Sequence, residues 1–545
     1  MLWWRDGIIY QIYPRSFADS NGDGIGDLQG IISHLDYLAD LGVDALWLSP
    51  FFPSPDVDFG YDVSDYTGVD PKFGTMEDFN RLLEETHRRG MKMMLDLVMN
   101  HTSDQHPWFQ ESRKSKNNPY RDWYIWRPPS AKGSYPNNWQ GIMGGPAWEL
   151  DPASGEYYLH LFFKQQPDLN WHNPAVRKAM LDVYRFWLEK GVDGFRLDVF
   201  NLYFKHRDLP DNPPVFSLSP RGFDRQKHRY DLDQPEMLPL LNEIRALVDS
   251  YPDRYLVGET FDASLTSKDG PEKAAGYIGP KRLHAAFNFD FMGGDLRIFG
   301  DGWNAARFKK AIQRWEHALG KKWPNYVLNN HDVTRSASRL ARGENDDRLK
   351  VAAALLLTLR GTPFLYYGEE IGMRNIPIRA KEDVLDPIGK TFWPFMKGRD
   401  GCRSPMQWDA TSNAGFSAPA AHPWLPLHQD YPDRNVAAQR EAPGSLLNFY
   451  RELIALRKIT PALVQGDITL LSPDTYDLLV YVRKTQEEAV LVALNFSARR
   501  QALALENRPS PSPVMLLLSS HRSQMPAGLA DVITLEPNEA LIVKL

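Results

Sequence analysis

Eight short, apolar, β-rich runs are spaced along the chain, with helix-period stretches between most neighbours, and this alternation limits the folds available to it. The runs lie at 8–14, 43–50, 91–100, 191–199, 255–260, 285–291, 325–332 and 362–370. Leu28, Ile31, Ile32, Leu35, Leu38 and Leu41 recur at the spacing of one helical face, as do Val176, Met180, Val183 and Trp187. Thr75 is placed to cap a helix that Gly90 ends. Parallel strands need long crossovers, and a helix is the usual one. Eight such units closed on themselves predict an α/β fold of the (β/α)8 TIM-barrel type. An open doubly wound sheet is the alternative, but no glycine-rich dinucleotide fingerprint follows the first run.

The alternation breaks twice. Residues 101–173 are rich in Pro, Trp, Tyr, Asn and Gly, with too many aromatics for disorder, and read as a domain inserted after the third strand. From 467 to 545 strand-like runs follow without long helices, which predicts a C-terminal antiparallel β-sandwich. The barrel then comprises 1–100 and 174–466. It includes a long excursion, about 374–442, after the eighth strand.

Bulk properties exclude several classes. A formal charge of −6 argues against a nucleic-acid binder. No run of about 18 apolar residues predicts a membrane span, and the first residues lack a signal-peptide pattern. A single cysteine, Cys402, rules out an intrachain disulfide and fits a reducing compartment, so a cytoplasmic location is expected. Aromatics reach 12%; most will fill cores, but flat faces with polar tips are also what sugar rings stack on.

In such a barrel the working side chains sit at the C-terminal ends of strands. Those ends carry Asp96 and His101, Arg196 and Asp198, Glu259, and His331 and Asp332. Clustered carboxylates suit glycoside hydrolysis, where one must be ionised and another must hold a proton for the leaving oxygen. Arg196 lies two residues before Asp198, on the same strand face, and is expected to keep that carboxylate ionised. Phosphoryl transfer also uses carboxylates, but no phosphate-cradling loop stands beside these. Separately, Asp19, Asn21, Asp23 and Asp27 alternate like an oxygen-ligand calcium loop, with Gly22 and Gly24 allowing a tight turn. A polar βα turn explains the spacing equally well.

The runs DLVMNHTS (96–103), GFRLDV (194–199), GET (258–260) and NNHD (329–332) resemble the four signature regions of the α-amylase family of glycoside hydrolases. The opening IIYQIYPRSFADSNGDGIGDLQGI, with GYDVSDY (60–66) and QPDLN (166–170), is similar to its oligo-1,6-glucosidase and α-glucosidase branch. The resemblance implies that Asp198 is the nucleophile, Glu259 the general acid/base and Asp332 the transition-state stabiliser. It further implies that Asp58, Tyr61, His101, Phe162, Arg196, His331 and Arg399 line a pocket for one glucose, with Val199 beside it. Asp96 and Asn100 are then structural supports. The same resemblance implies a structural divalent ion, Ca2+ or Mg2+, held by Asp19, Asn21, Asp23, the Ile25 carbonyl and Asp27, and no organic cofactor.

The expected partner is a small oligosaccharide, with no nucleic acid or membrane, bound by a monomer or small homo-oligomer. Two clues to linkage pull apart. Val199 resembles enzymes acting on α-1,6 bonds, whereas segment 201–235 looks more like α-glucosidases favouring short α-1,4 substrates. An exo-acting retaining α-glucosidase with α-1,6 activity included is the expectation. An α-glucosyl transferase or a sucrose- or trehalose-isomerising relative is the alternative. A non-catalytic barrel protein is a remote one, since all three carboxylates are present.

Overall fold

The computed structural model describes residues 2–261, 270–292, 302–341, 345–471, 476–504, 514–524 and 532–545. Eight parallel strands form one sheet: β1 (Ile9–Ile12), β2 (Ala45–Leu48), β3 (Lys92–Leu97), β7 (Gly194–Leu197), β8 (Tyr255–Gly258), β9 (Ala285–Ala286), β10 (Asn325–Val327) and β11 (Thr362–Tyr366). Three strands of the inserted segment intervene in chain order: β4 (Trp126–Arg127), β5 (Trp148–Asp151) and β6 (Glu156–Leu159). The main sheet runs β10-β11-β1-β2-β3-β7-β8-β9, so each end of the chain order meets its neighbour and the barrel is nearly closed. All eight apolar runs deliver a strand, though shorter than the run. The sixth expected strand, at 285–291, pairs only over Ala285 and Ala286.

Period-two geometry explains the interior. Ile9, Ala45, Trp47, Met94, Tyr255, Val257, Ala285, Phe287, Val327 and Phe364 form one buried cluster, the packed barrel axis. Their neighbours on the same strands, such as Tyr10, Leu46, Leu95 and Leu256, face the surrounding helices. The helix Met76–Arg88 starts at a reciprocal capping box between Thr75 and Asp78. Residues 28–41 depart from the single helix that their period predicts. They form Leu28–Ser33 and Leu35–Leu41, parted at His34, whose ring stacks on Trp408 at 3.9 Å. Tertiary stacking overrides the local pattern there.

In the inserted segment β6 pairs with both β4 and β5, antiparallel. It is tied to the barrel by a fully buried ion pair. Lys205 Nζ lies 2.6 Å from Asp168 and donates to Asn100 Oδ1 and the Leu202 carbonyl. Asn100 is thus a support of the third strand end, through a lysine that no motif marks.

The C-terminal strands are β12 (Asp467–Leu470), β13 (Leu478–Lys484), β14 (Ala489–Asn495), β15 (Gln501–Ala504), β16 (Met515–Ser519), β17 (Val532–Leu535) and β18 (Ala540–Lys544). They make antiparallel sheets of order β12-β13-β14-β18-β16 and β15-β17. Alternate residues of β13 divide between two cores. Leu479 and Tyr481 join the core shared with the barrel helices, while Leu478, Val480 and Val482 face Ile533 and Leu535 of the small sheet. Among the described residues no helix is long and apolar enough to cross a membrane.

Replacing Lys205 by Met strands Asp168 as an unpaired buried carboxylate. Breaking such a pair costs about 3–5 kcal/mol, and replacing both partners by apolar groups costs less. Lys205→Met is therefore expected to lower the thermal unfolding midpoint more than Lys205→Met combined with Asp168→Leu. Equal midpoints for the two variants would contradict this account.

Candidate active site

Strand register builds the site. Asp96 on β3 pairs in register with Arg196 on β7, and Arg196 with Val257 on β8. Two residues further along the same inward faces come Asp198 and Glu259. The Asp198 amide still donates to Leu97 O and the Glu259 amide to Leu197 O, so ladder hydrogen bonds hold both carboxylates at the barrel's C-terminal mouth.

One guanidinium joins them. Arg196 Nη1 lies 2.6 Å from Asp96 and 2.5 Å from Asp198, and Nη2 donates to Glu259. Arg196 is 1% exposed. Asp96 is therefore more than the strand support expected from the sequence, because it shares the central cation. The expected effect of Arg196 on Asp198 also needs correction. Burial raises the pKa of all three carboxyls and Arg196 only partly opposes it, leaving Asp96 at about 6, Asp198 at about 7 and Glu259 at about 8. One cation cannot neutralise three carboxylates, so the group retains a proton, and Glu259, hydrogen-bonded to Asp198, holds it most firmly.

Asp332 has the opposite environment. Its Oδ1 lies 3.1 Å from Arg403 and 3.4 Å from Arg399. Burial pushes its pKa up, but neighbouring charge overcomes that and holds it well below the carboxylate range. Burial drives His331 down to about 3, so at neutral pH the ring is uncharged and the guanidiniums supply the stabilisation. Gln11 Nε2 donates to His331 Nδ1 at 2.8 Å, which leaves the ring proton on Nε2, facing Tyr61 Oη and Asp332.

The remaining predicted pocket residues join the same network. Tyr61 Oη donates to Asp96 at 3.1 Å, and its ring stacks on His331. His101 donates from Nε2 to the Tyr61 carbonyl and packs on Phe162, ring centroids 4.9 Å apart. Arg399 Nη2 lies 2.5 Å from Asp58. Val199 is 5% exposed and sits at φ +34°, a strained left-handed conformation for a β-branched residue, directly after Asp198.

Sequence reasoning missed four supports. Gln166 Nε2 reaches Asp58 and the Tyr61 carbonyl. Asp62, buried and pushed up to about 6 by that burial, accepts from the Asp58 and Val57 amides. Asp386 grips Arg399 through Nε and Nη2, both at 2.9 Å, and that charge outweighs burial to hold it at about 2. Arg403 braces Asp332. Gln166 and Asp62 fall inside quoted motifs, which was the available signal; Asp386 and Arg403 lie in the excursion after β11, where only the fold brings them back.

The loop 19–27 lies apart from this network. Asp19 accepts from the Gly22 and Gly24 amides and from Ser417 Oγ at 2.5 Å. Asp27 accepts from Ser20 and caps the helix Leu28–Ser33 through the Gly30 amide. Among the described residues no three His, Cys, Asp or Glu side chains converge closely enough to hold an ion. An ion there would draw also on Asn21 and the Ile25 carbonyl, an all-oxygen set suited to a hard cation.

The α-amylase catalytic-domain family matches residues 11–466. A probable α-glucosidase of Rhizobium meliloti is 46% identical, covering 91% of this chain and 89% of the relative. An oligo-1,6-glucosidase of Parageobacillus thermoglucosidasius is 42% identical over 100% of this chain and 99% of its own. The crystal structure of an α-glucosyl transfer enzyme superposes with a TM-score of 0.91 at 41% identity, covering 100% of this chain and 99% of that one. With its eight-stranded barrel and carboxylate-lined mouth, the chain belongs to the α-amylase family of glycoside hydrolases.

Proposed function

We propose that this glycoside hydrolase is an exo-acting retaining α-glucosidase that releases glucose from the non-reducing end of short α-glucosides. The observation that carries the reading is the contact between Asp198 and Glu259 on one guanidinium. Inverting glycosidases leave roughly 6.5–9.5 Å between carboxyls for a water, whereas retaining ones hold them about 5–5.5 Å apart. Two carboxyls that share one guanidinium and a hydrogen bond leave little room for an intervening water, which supports attack by Asp198 itself.

In this mechanism the Asp198 carboxylate attacks the anomeric carbon while Glu259 gives its proton to the departing oxygen. Glu259, now ionised, takes a proton from the water that cleaves the glucosyl ester, and Asp198 is restored. Asp332, ionised between two guanidiniums, accepts hydrogen bonds from glucose hydroxyls as positive charge develops on the ring. Asp58 and Arg399, paired with each other beside Asp332, supply an acceptor and a donor for hydroxyls of the same sugar. Glucose transfer to another sugar uses the same covalent intermediate, and likeness to an α-glucosyl transfer enzyme favours it as the second reading. An ion in loop 19–27 belongs to this proposal as a structural element, resting on the alternation of Asp19, Asn21, Asp23 and Asp27 that resembles an oxygen-ligand calcium loop.

Three outcomes are expected. Maltose and isomaltose should both yield glucose, first released as the α-anomer, and Asp198→Asn should abolish turnover. Glu259→Gln should lower kcat by about 10²–10⁴-fold on these disaccharides but far less on a glucoside with an activated aryl leaving group. A β-anomer product, or an active Asp198→Asn protein, would remove the retaining assignment.

The pH profile of kcat/KM should be bell-shaped. Activity falls in acid as Asp198, with a pKa raised to about 7, takes up a proton, and in alkali as Glu259 loses its own above about 8. Both limbs belong to the coupled pair. Arg196 opposes protonation of Asp198, so Arg196→Gln should move the acid limb to higher pH; a limb that stays in place defeats this assignment. Finally, chelation should lower the unfolding midpoint and added calcium restore it, with Asp23→Ala insensitive to both. A midpoint indifferent to chelator argues that loop 19–27 is a plain turn.

A further inference from the structure

Beside the Arg196 guanidinium the barrel interior encloses a small, nearly closed cavity. It lies among Gln11, Trp47, Arg196, Phe287, Asn329 and Phe364, all buried, and offers about 10 Å3 to the centre of a water molecule. That is close to the least space that holds one water. Its walls are not uniformly apolar. Among the described residues, Arg196 Nε, Trp47 Nε1 and Asn329 Oδ1 are buried polar atoms with no hydrogen-bond partner. Two are N–H donors and one is a carbonyl acceptor. A single water can accept from both donors and donate to the acceptor, which is the usual coordination of a buried water. The three residues come from different strands. Trp47 on β2 and Arg196 on β7 face the axis, the guanidinium carbon lying 5.4 Å from the Trp47 ring centre, and Asn329 is two residues past Val327 of β10, on the same inward face.

Asn329 joins this cavity to a carboxyl that the mechanism does not use. Its Nδ2 donates to Glu369, and to Ser336 Oγ at 3.2 Å. Glu369 is buried three residues past β11, and its other oxygen accepts from Tyr450 Oη at 3.2 Å, on the helix Leu446–Ile459. Burial raises the pKa of Glu369 to about 8, so at neutral pH it is an uncharged acid. Such a group adds no charge to the site, and what it supplies is geometry. With Nδ2 held by Glu369 and Ser336, the Asn329 amide is fixed in one orientation, and Oδ1 is the atom left for the cavity. On the other side, the three carboxyls take Nη1 and Nη2 of Arg196 but not Nε. A partner on Nε sets the plane of the rigid guanidinium, and so where Nη1 and Nη2 point.

We propose that one water is bound in this cavity by Arg196, Trp47 and Asn329, and that Glu369 is a positioning residue that fixes the Arg196 guanidinium through Asn329 and that water. The kinetic consequence of this inference rests on the α-glucosidase reading.

A crystal structure of the sugar-free protein refined with ordered solvent should show one water within about 2.7–3.2 Å of Arg196 Nε, Trp47 Nε1 and Asn329 Oδ1. No water there overturns the proposal. In pH profiles of kcat/KM on maltose, Glu369→Leu should lower the maximum by about 10-fold, the scale of one hydrogen bond to a charged group. It should also carry the acid limb to higher pH, because a displaced guanidinium opposes protonation of Asp198 less. Glu369→Gln, the isostere of the uncharged acid, should keep both maximum and limb close to wild type. If Glu369→Leu does not fold, Trp47→Phe keeps an aromatic ring, removes the N–H and should move the limb in the same direction. Variants with a lowered unfolding midpoint but a wild-type limb reduce Glu369 to a packing residue and overturn the proposal, as does a Gln variant as impaired as the Leu one. Wild-type protein inert on maltose and isomaltose would instead defeat the α-glucosidase reading, and the crystal structure would still decide the water.

Discussion

The Arg196 guanidinium, buried among Asp96, Asp198 and Glu259, is the interaction on which the rest of the site depends. A charge taken out of water is tolerated only when paired, and each of these four groups is the others' compensation. Three separate strands must therefore present their ends at matching heights. The parallel register of β3, β7 and β8 supplies that, and the apolar barrel axis beneath keeps water from reaching the cluster from below.

Unequal sharing of cations sorts the carboxylates. Asp332 lies between Arg399 and Arg403 and stays ionised, whereas Asp198 and Glu259 divide a single guanidinium with Asp96 and compete for a proton. Two roles thus come from one residue type through environment alone. The arginines are in turn set by elements distant in sequence: Asp386 fixes Arg399, and the Arg403 Nε donates to the His331 carbonyl. The long excursion after β11 is in this sense part of the site.

Much of this was legible in residue order. Continuous apolar runs located every barrel strand, and charged residues at the ends of some of them located the three carboxylates, because burial on both faces demands apolar sequence and the mouth alone admits charge. The capping box at Thr75 was equally plain. What escaped detection depended on partners far along the chain. The break at His34 comes from stacking on Trp408, and the Lys205–Asp168 pair joins segments that share no local pattern. The aspartates of loop 19–27 show the ambiguity most directly, since the same spacing serves a hydrogen-bonded turn.

The sequence by itself determined the barrel, its interruptions, the identity of the charged residues at the strand ends, and the family. Those are properties of local periodicity and short-range order. Only the tertiary structure decided how many carboxylates share Arg196, which one keeps the proton, and that Arg403 and Asp386 brace the groups around Asp332. The reason is physical: protonation and pocket shape depend on burial and on charges brought within a few ångströms by the fold, and no spacing along the chain encodes those distances.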